Sequence, residues 1–311
     1  MTLRHSMASL RSTLGAALGP TLRAALVATI ALGAASTLLG CSSPQGSTGV
    51  GNPGLTSEEQ ALVDDGSDGQ QSGDTASALV AVPFFAVTRP AEIATPDIAA
   101  TTATLSKDWF RPATPSSCVD AAKTTTGTGA TVTYTFTAPC SGPLGLASIE
   151  GKIVVEFAAG ATGGIDIKAH SEGLSLDKVP VTETLSGNVA FSGATRTIVW
   201  NGEFDGTTPR GHPVVHTASY SVVEDLSAGC VQIDGSAQTT LVRDGATFGH
   251  KSDVAGYVHC GPRAACPSGG TVVYSRLPDG KPKVTVRFLG GRRAEITTPR
   301  GKVVDFLLKC G

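Results

Sequence analysis

A mainly β fold, an antiparallel meander forming a sandwich or an incomplete barrel, is predicted by three features of the 311-residue chain. From Thr131 onward, short β-branched or alternating apolar and polar runs follow one another. Gly, Pro, Asn or Asp separates most of them, so connections are short and neighbouring strands pair antiparallel. Six cysteines follow residue 41, and two pairs of them bracket turn sequences. The same reading places a short helical or irregular segment and a disordered tether ahead of the β domain.

The chain begins with Arg4, Arg11 and Arg23 and has no acidic residue before Glu58. The apolar run "AALVATIALGAASTLLG", Ala24 to Gly40, is too short and too rich in small residues for a comfortable membrane span. Basic start and apolar middle are the layout of a secretory signal over residues 1–40, with translation starting at Met1 or Met7. The run ends in Leu38-Leu39-Gly40-Cys41, which resembles the lipobox of bacterial lipoproteins. That resemblance implies cleavage before Cys41, a diacylglyceryl thioether on its sulfur and an acyl group such as palmitate on the new N-terminus. Two or three acyl chains, at about 0.8 kcal/mol per buried methylene, hold a protein on a bilayer. Ser42, rather than Asp, follows the cysteine, which is similar to the outer-membrane sorting signal of Gram-negative lipoproteins.

Residues 41–75 read as a flexible, lipid-anchored tether, composed largely of Gly, Ser, Gln and Asp. Glu58, Glu59, Asp64, Asp65, Asp68 and Asp74 face no Lys or Arg there. A coil of this length spans roughly 30 Å, enough to clear lipid headgroups. The whole chain carries a formal charge of −2, which becomes −5 without Arg4, Arg11 and Arg23 of the signal, and the six acidic residues of the tether account for that negative excess. The near-neutral remainder implies neither nucleic acid nor an anionic bilayer surface as partner.

Residues 76–112 are rich in Ala and Pro. Thr95 before Pro96 has the form of an N-cap with proline at the first helical position, which predicts a short helix to about Lys107, an irregular strap being the alternative. Residues 113–311 form the β domain. Its strands begin with "TVTYTF" at Thr131 and "GKIVVEF" at Gly151, and end with "KVTVRFL" at Lys283, "AEITT" at Ala294 and "KVVDFLL" at Lys302. In "KVTVRFL", Val284, Val286 and Phe288 share one face, with Thr285 and Arg287 on the other. About 195 residues suffice for one closed core.

An even cysteine count in an exported chain predicts disulfides. Cys118 and Cys140 bracket "TGTGA", and Cys230 and Cys260 bracket "RDGA", so each pair spans a hairpin; Cys266 is left for Cys310. A two-residue Asp-Gly turn would set His259, not Cys260, opposite Cys230, so the second bridge requires a one-residue bulge or a longer turn. Zinc is the poorer reading, because no C-x₂₋₄-C pair exists.

The sequence lacks G-x-S-x-G, H-E-x-x-H, G-x-G-x-x-G and the S-x-x-K with K-T-G set. "DDGSDG" begins like a calcium loop but has Gly66 and Thr75 where carboxylates are needed. His212 and His216 on one strand would lie roughly 13 Å apart, too far for one metal. His250 falls in phase with Phe248, Val254 and Val258, a half-buried position. Glu203 with Asp205, and Glu224 with Asp225, are the acidic pairs nearest to glycosidase geometry, and Trp109 and Trp200 are the candidate sugar platforms. None of these makes a convincing catalytic or metal set, and no cofactor is expected. The cluster of Arg276, Lys281, Lys283, Arg287, Arg292, Arg293, Arg300, Lys302 and Lys309 reads as a solvated face or as a docking surface for anionic glycan or protein.

Lipobox, polar tether, Ala-rich segment and Cys-paired β domain together resemble β-rich envelope lipoproteins of Gram-negative bacteria, which have no established activity to transfer. Only the lipobox is a specific motif; the rest is a likeness of layout. The expectation is a non-catalytic envelope module that binds or scaffolds a glycan or protein; the alternative is an envelope hydrolase acting on glycan or peptide.

Overall fold

The computed structural model describes residues 84, 87–106, 118–141, 148–161, 163–207, 211–243, 245–261, 266–277, 280, 283–297 and 301–308. The signal, Cys41, the tether, "DDGSDG", Trp109 and Cys310 lie outside the described residues.

A 3₁₀ turn, Pro90–Ile93, leads into helix α1, Pro96–Leu105. The Thr95 hydroxyl accepts the N–H of Ile98 at 3.2 Å, the cap that the sequence predicts. Ala99, Ala100 and Ala103 form its buried face, small enough to let the helix lie close on the sheet.

The strands are β1 (Val119–Thr126), β2 (Gly129–Ser141), β3 (Ser148–Ala159), β4 (Ile165–Leu176), β5 (Val179–Pro180), β6 (Thr182–Ser192) and β7 (Thr195–Thr207). They continue as β8 (Pro213–Asp225), β9 (Cys230–Arg243), β10 (Ala246–Cys260), β11 (Gly269–Leu277), β12 (Lys283–Gly290), β13 (Arg293–Thr297) and β14 (Val303–Leu307). All pair antiparallel in chain order within one ladder, except that the two-residue β5 pairs only with β4. The fold is therefore an uninterrupted meander in a single sheet. Among the described residues β1 and β14 each have one ladder neighbour, so the sheet has two edges.

One face of this sheet is buried along most of its width, through residues such as Val132, Ile153, Ile167, Val189, Ile198, Val222, Ile233, Val254, Val272 and Val286. Helix α1 packs on that face against β1, β2 and β3, and the Tyr134 hydroxyl donates to the Ala103 carbonyl at 2.6 Å. Phe84, fully buried, lies over Gly187, where a Cβ would stand 2.7 Å from the ring. The Ala-rich segment is thus part of the same core as the β domain. Trp200 and Tyr220 pair across β7 and β8 with ring centroids 5.2 Å apart, and Trp200 is buried, so it belongs to the core and offers no exposed sugar platform. The inward phase of Val284, Val286 and Phe288 is as the alternation predicts.

Both hairpin bridges are present. Arg243 pairs with Ala246 around a two-residue turn in which Gly245 has φ +75°, a conformation glycine adopts without strain. The ladder then slips by one residue between Val254 and Tyr257, with Gly256 at φ +57°. This bulge sets Cys260 opposite Cys230, and the two are bridged. It also changes the phase of the strand: Tyr257 and His259 are buried instead of Val258, which corrects the face expected for Val258. In the first hairpin Thr126 pairs with Gly129, and Cys118 accepts the N–H of Thr137 at 3.1 Å. Cys140 lies three residues further, beyond a register shift in β2 against β3, and bridges to Cys118 across a Cα separation of 5.5 Å.

Candidate functional site

Period-2 alternation carries several ionisable side chains onto the buried face. Glu183 shares a phase with Leu185 and Val189 on β6; Arg196 shares one with Ile198 and Trp200 on β7; His216 and Glu224 share one with Ala218, Tyr220 and Val222 on β8. Registry then sorts them into two rows.

The first row crosses the middle of the sheet. Glu183 pairs with Phe204, Phe204 with His216, His216 with Thr239, and Thr239 with His250. His216 is 2 % exposed, and its Nδ1 lies 2.9 Å from the Thr239 hydroxyl. Burial, and then the neighbouring His250, push its pKa down to about 4, so the ring is neutral over ordinary pH. Burial also lowers His250, whose Nε2 has no hydrogen-bond partner among the described residues. Glu183 is 1 % exposed, and neither carboxyl oxygen has a partner among the described residues. Desolvation holds its pKa well above the ordinary carboxylate range, favouring the protonated acid. Its own N–H donates to the Ser171 hydroxyl at 2.8 Å.

The second row lies eight residues away along the same strands, about 27 Å at strand rise. Arg196 pairs in register with Glu224. Its Nε donates to Glu224 Oε2 at 2.6 Å, its Nη2 forms an ion pair with the same oxygen, and its Nη1 donates to the Val87 carbonyl. Both side chains are at most 2 % exposed. Burial raises the Glu224 pKa while the guanidinium lowers it, the burial effect being the larger.

These rows do not assemble a catalytic set. Glu183 and His216 sit two strands apart, about 10 Å between backbones. Groups of at least three His, Cys, Asp or Glu side chains able to hold a metal do not occur among the described residues. His212 stands just ahead of β8, whereas His216 points into the core. Glu224 and Asp225 lie on opposite faces; Asp225 bonds to Ser227 and to the Ala228 N–H at a turn. Glu203 and Asp205 are both exposed on the outer face. Cys266 is disulfide-bonded, and its expected partner Cys310 lies outside the described residues. Arg196 and Glu183 escaped the sequence reading, although each falls in phase with neighbouring apolar residues, and that phase was the available signal.

The outer face between β6 and β9 has a different chemistry. Ser186, Asn201, Ser219 and Ser236 form one cross-strand row, and Thr184, Glu203, Thr217 and Gln238 form the next. Short hydroxyl and amide side chains dominate, and these two rows contain no Lys or Arg. Basic side chains flank these rows directly, Lys168 on β4 opposite Ser186 and Lys251 on β10 opposite Gln238, with Lys283, Arg287 and Arg293 further along the sheet.

No family model, curated protein or solved structure matches the chain.

Proposed function

We propose that the protein is a lipid-anchored, non-catalytic module of the outer membrane whose β domain binds an uncharged stretch of envelope glycan on its outer face. The observation that carries this reading is the contrast between the faces. Glu183, His216 and Glu224 are sealed in the core, while the accessible centre of the outer face is an array of Ser, Thr, Asn and Gln with one carboxylate, Glu203. Such side chains present donors and acceptors at strand spacing to a polyhydroxylated chain, and the short Ser and Thr hydroxyls have few rotamers to lose. A hydrolase requires an acid or base within hydrogen-bond reach of its substrate, and Glu183 and His216 at 1 % and 2 % exposure do not meet a polymer.

The anchor is tested by Cys41→Ala, which releases the protein from membranes and abolishes labelling by a fatty-acid analogue. Membrane retention of an unlabelled parent protein would overturn it. Glycan binding is tested by co-sedimentation with purified peptidoglycan sacculi, where Ser186→Lys with Ser219→Lys is expected to lose the pelleted fraction. Equal pelleting of parent and variant overturns the outer-face assignment. We further assign Cys266 to Cys310; non-reducing peptide mapping that returned a different pairing would refute it.

A further inference from the structure

The two edges of the sheet are unequal. At β1, helix α1 lies against the strand: Lys123 reaches Asp97 at 2.8 Å and Thr101 at 2.9 Å, and the Thr125 hydroxyl donates to Asp97 at 2.8 Å. A lysine on an edge strand, here held by the helix packed on the strand's inner face, discourages further pairing. β14 carries no lysine within Val303–Leu307 and pairs with β13 only, so its second row of backbone donors and acceptors has no ladder partner among the described residues.

The side chains at this edge also form a pattern. Val303, Asp305 and Leu307 share the outer face, opposite Thr297, Glu295 and Arg293. Val303 is 56 % and Leu307 70 % exposed, among the most exposed large apolar residues described. Between them Asp305 ends a charge row that runs Arg287, Glu295, Asp305 across β12, β13 and β14. Arg287 lies 3.7 Å from Glu295, so the positive charge of the row is already engaged by the inner carboxylate. The edge therefore presents an apolar, acidic, apolar comb beside backbone groups that have no second ladder partner among the described residues.

We infer that β14 is a docking edge for an extended segment of another protein, added as a further strand, with a Lys or Arg opposite Asp305 and apolar side chains opposite Val303 and Leu307. Backbone bonds supply affinity in such strand addition, and alternate side chains supply selectivity. A second copy of this chain is the poorer occupant. Antiparallel self-pairing that matches Val303 with Leu307 sets Asp305 directly against its counterpart, flanked by both Glu295 side chains, and like charges opposite one another destabilise a ladder.

The test uses the full lipidated protein in detergent micelles and a fluorescently labelled peptide, Thr-Val-Thr-Arg-Thr-Leu-Thr, read by anisotropy. Saturable binding is expected, roughly three- to tenfold weaker when the central Arg is replaced by Glu. Asp305→Lys is expected to reverse that preference, and N-methylation of alternate peptide bonds to abolish binding. No saturable binding, equal binding of the N-methylated peptide, or an unchanged preference in Asp305→Lys overturns the inference. So does a concentration-dependent dimer of the parent protein that the Arg-centred peptide does not dissociate. Circular dichroism of Asp305→Lys confirms that the exposed substitution leaves the sheet intact.

Discussion

The two ends of β7 and β8 bury ionisable groups in opposite ways. At one end Arg196 forms an ion pair with Glu224 and donates to the Val87 carbonyl, and the guanidinium offsets part of the rise that burial imposes on the Glu224 pKa. At the other, Glu183, His216 and His250 are held toward their neutral forms, the acid by a raised pKa and the imidazoles by lowered ones. The buried carboxyl has a cation beside it where Glu224 meets Arg196, and none among the described residues where Phe204 stands between Glu183 and His216. The charged end also ties the N-terminal segment down, because the Arg196 guanidinium is shared between β8 and Val87.

Breaking the charged end has the largest expected effect. Arg196→Ala leaves Glu224 buried without its cation and the Val87 carbonyl without its donor, a loss of about 3 to 5 kcal/mol in denaturant unfolding. The double change Arg196→Met with Glu224→Leu restores most of it, because neither charge then remains unpaired. A double change as damaging as the single one would show that the Val87 contact, and not the ion pair, dominates.

The neutral end responds to pH instead. His216 has its pKa depressed from 6.5 to about 4 on folding, so the unfolded chain binds the extra proton between those values. Stability is therefore present above pH 6.5 and lost as pH falls toward 4, by about 3 kcal/mol for a shift of this size. Unfolding free energies measured from pH 7 to 4 should show this slope, and His216→Gln should flatten it. An unchanged acid limb in that variant would place the effect on another group. Thr239→Val takes away the hydroxyl facing His216 Nδ1 and is expected to cost about 1 to 3 kcal/mol at neutral pH, read as a lower unfolding midpoint.

Glu183 runs the other way. Its pKa is raised on folding, so its favourable contribution is complete below pH 4.5 and is lost as pH rises through the folded value. Glu183→Gln, neutral at every pH, should differ least from the parent protein near pH 4.5 and become the more stable of the two as pH rises. A difference that does not change with pH would mean that the carboxyl is ionised in the folded protein.

Much of the architecture follows from local sequence. Alternation from Thr131 specifies strands because one face of each must be dry, short Gly- and Asp-containing links require antiparallel neighbours, and Thr95-Pro96 starts a helix that the structure begins at Pro96. Counting from the Asp-Gly turn to Cys230 and Cys260 called for a one-residue bulge or a longer turn, and the bulge between Val254 and Tyr257 supplies it. What the sequence left open depends on register between successive strands and on where the N-terminal segment docks. Alternation assigns Glu183, Arg196, His216 and Glu224 to one face but does not fix the offset at which those strands pair. Arg196 finds Glu224 28 residues away and Val87 109 residues away, and those contacts offset the cost of burying its guanidinium in the core. Glu183 lies on the same buried face, but with Phe204 as its registry neighbour it lacks such a partner, so desolvation decides its protonation state.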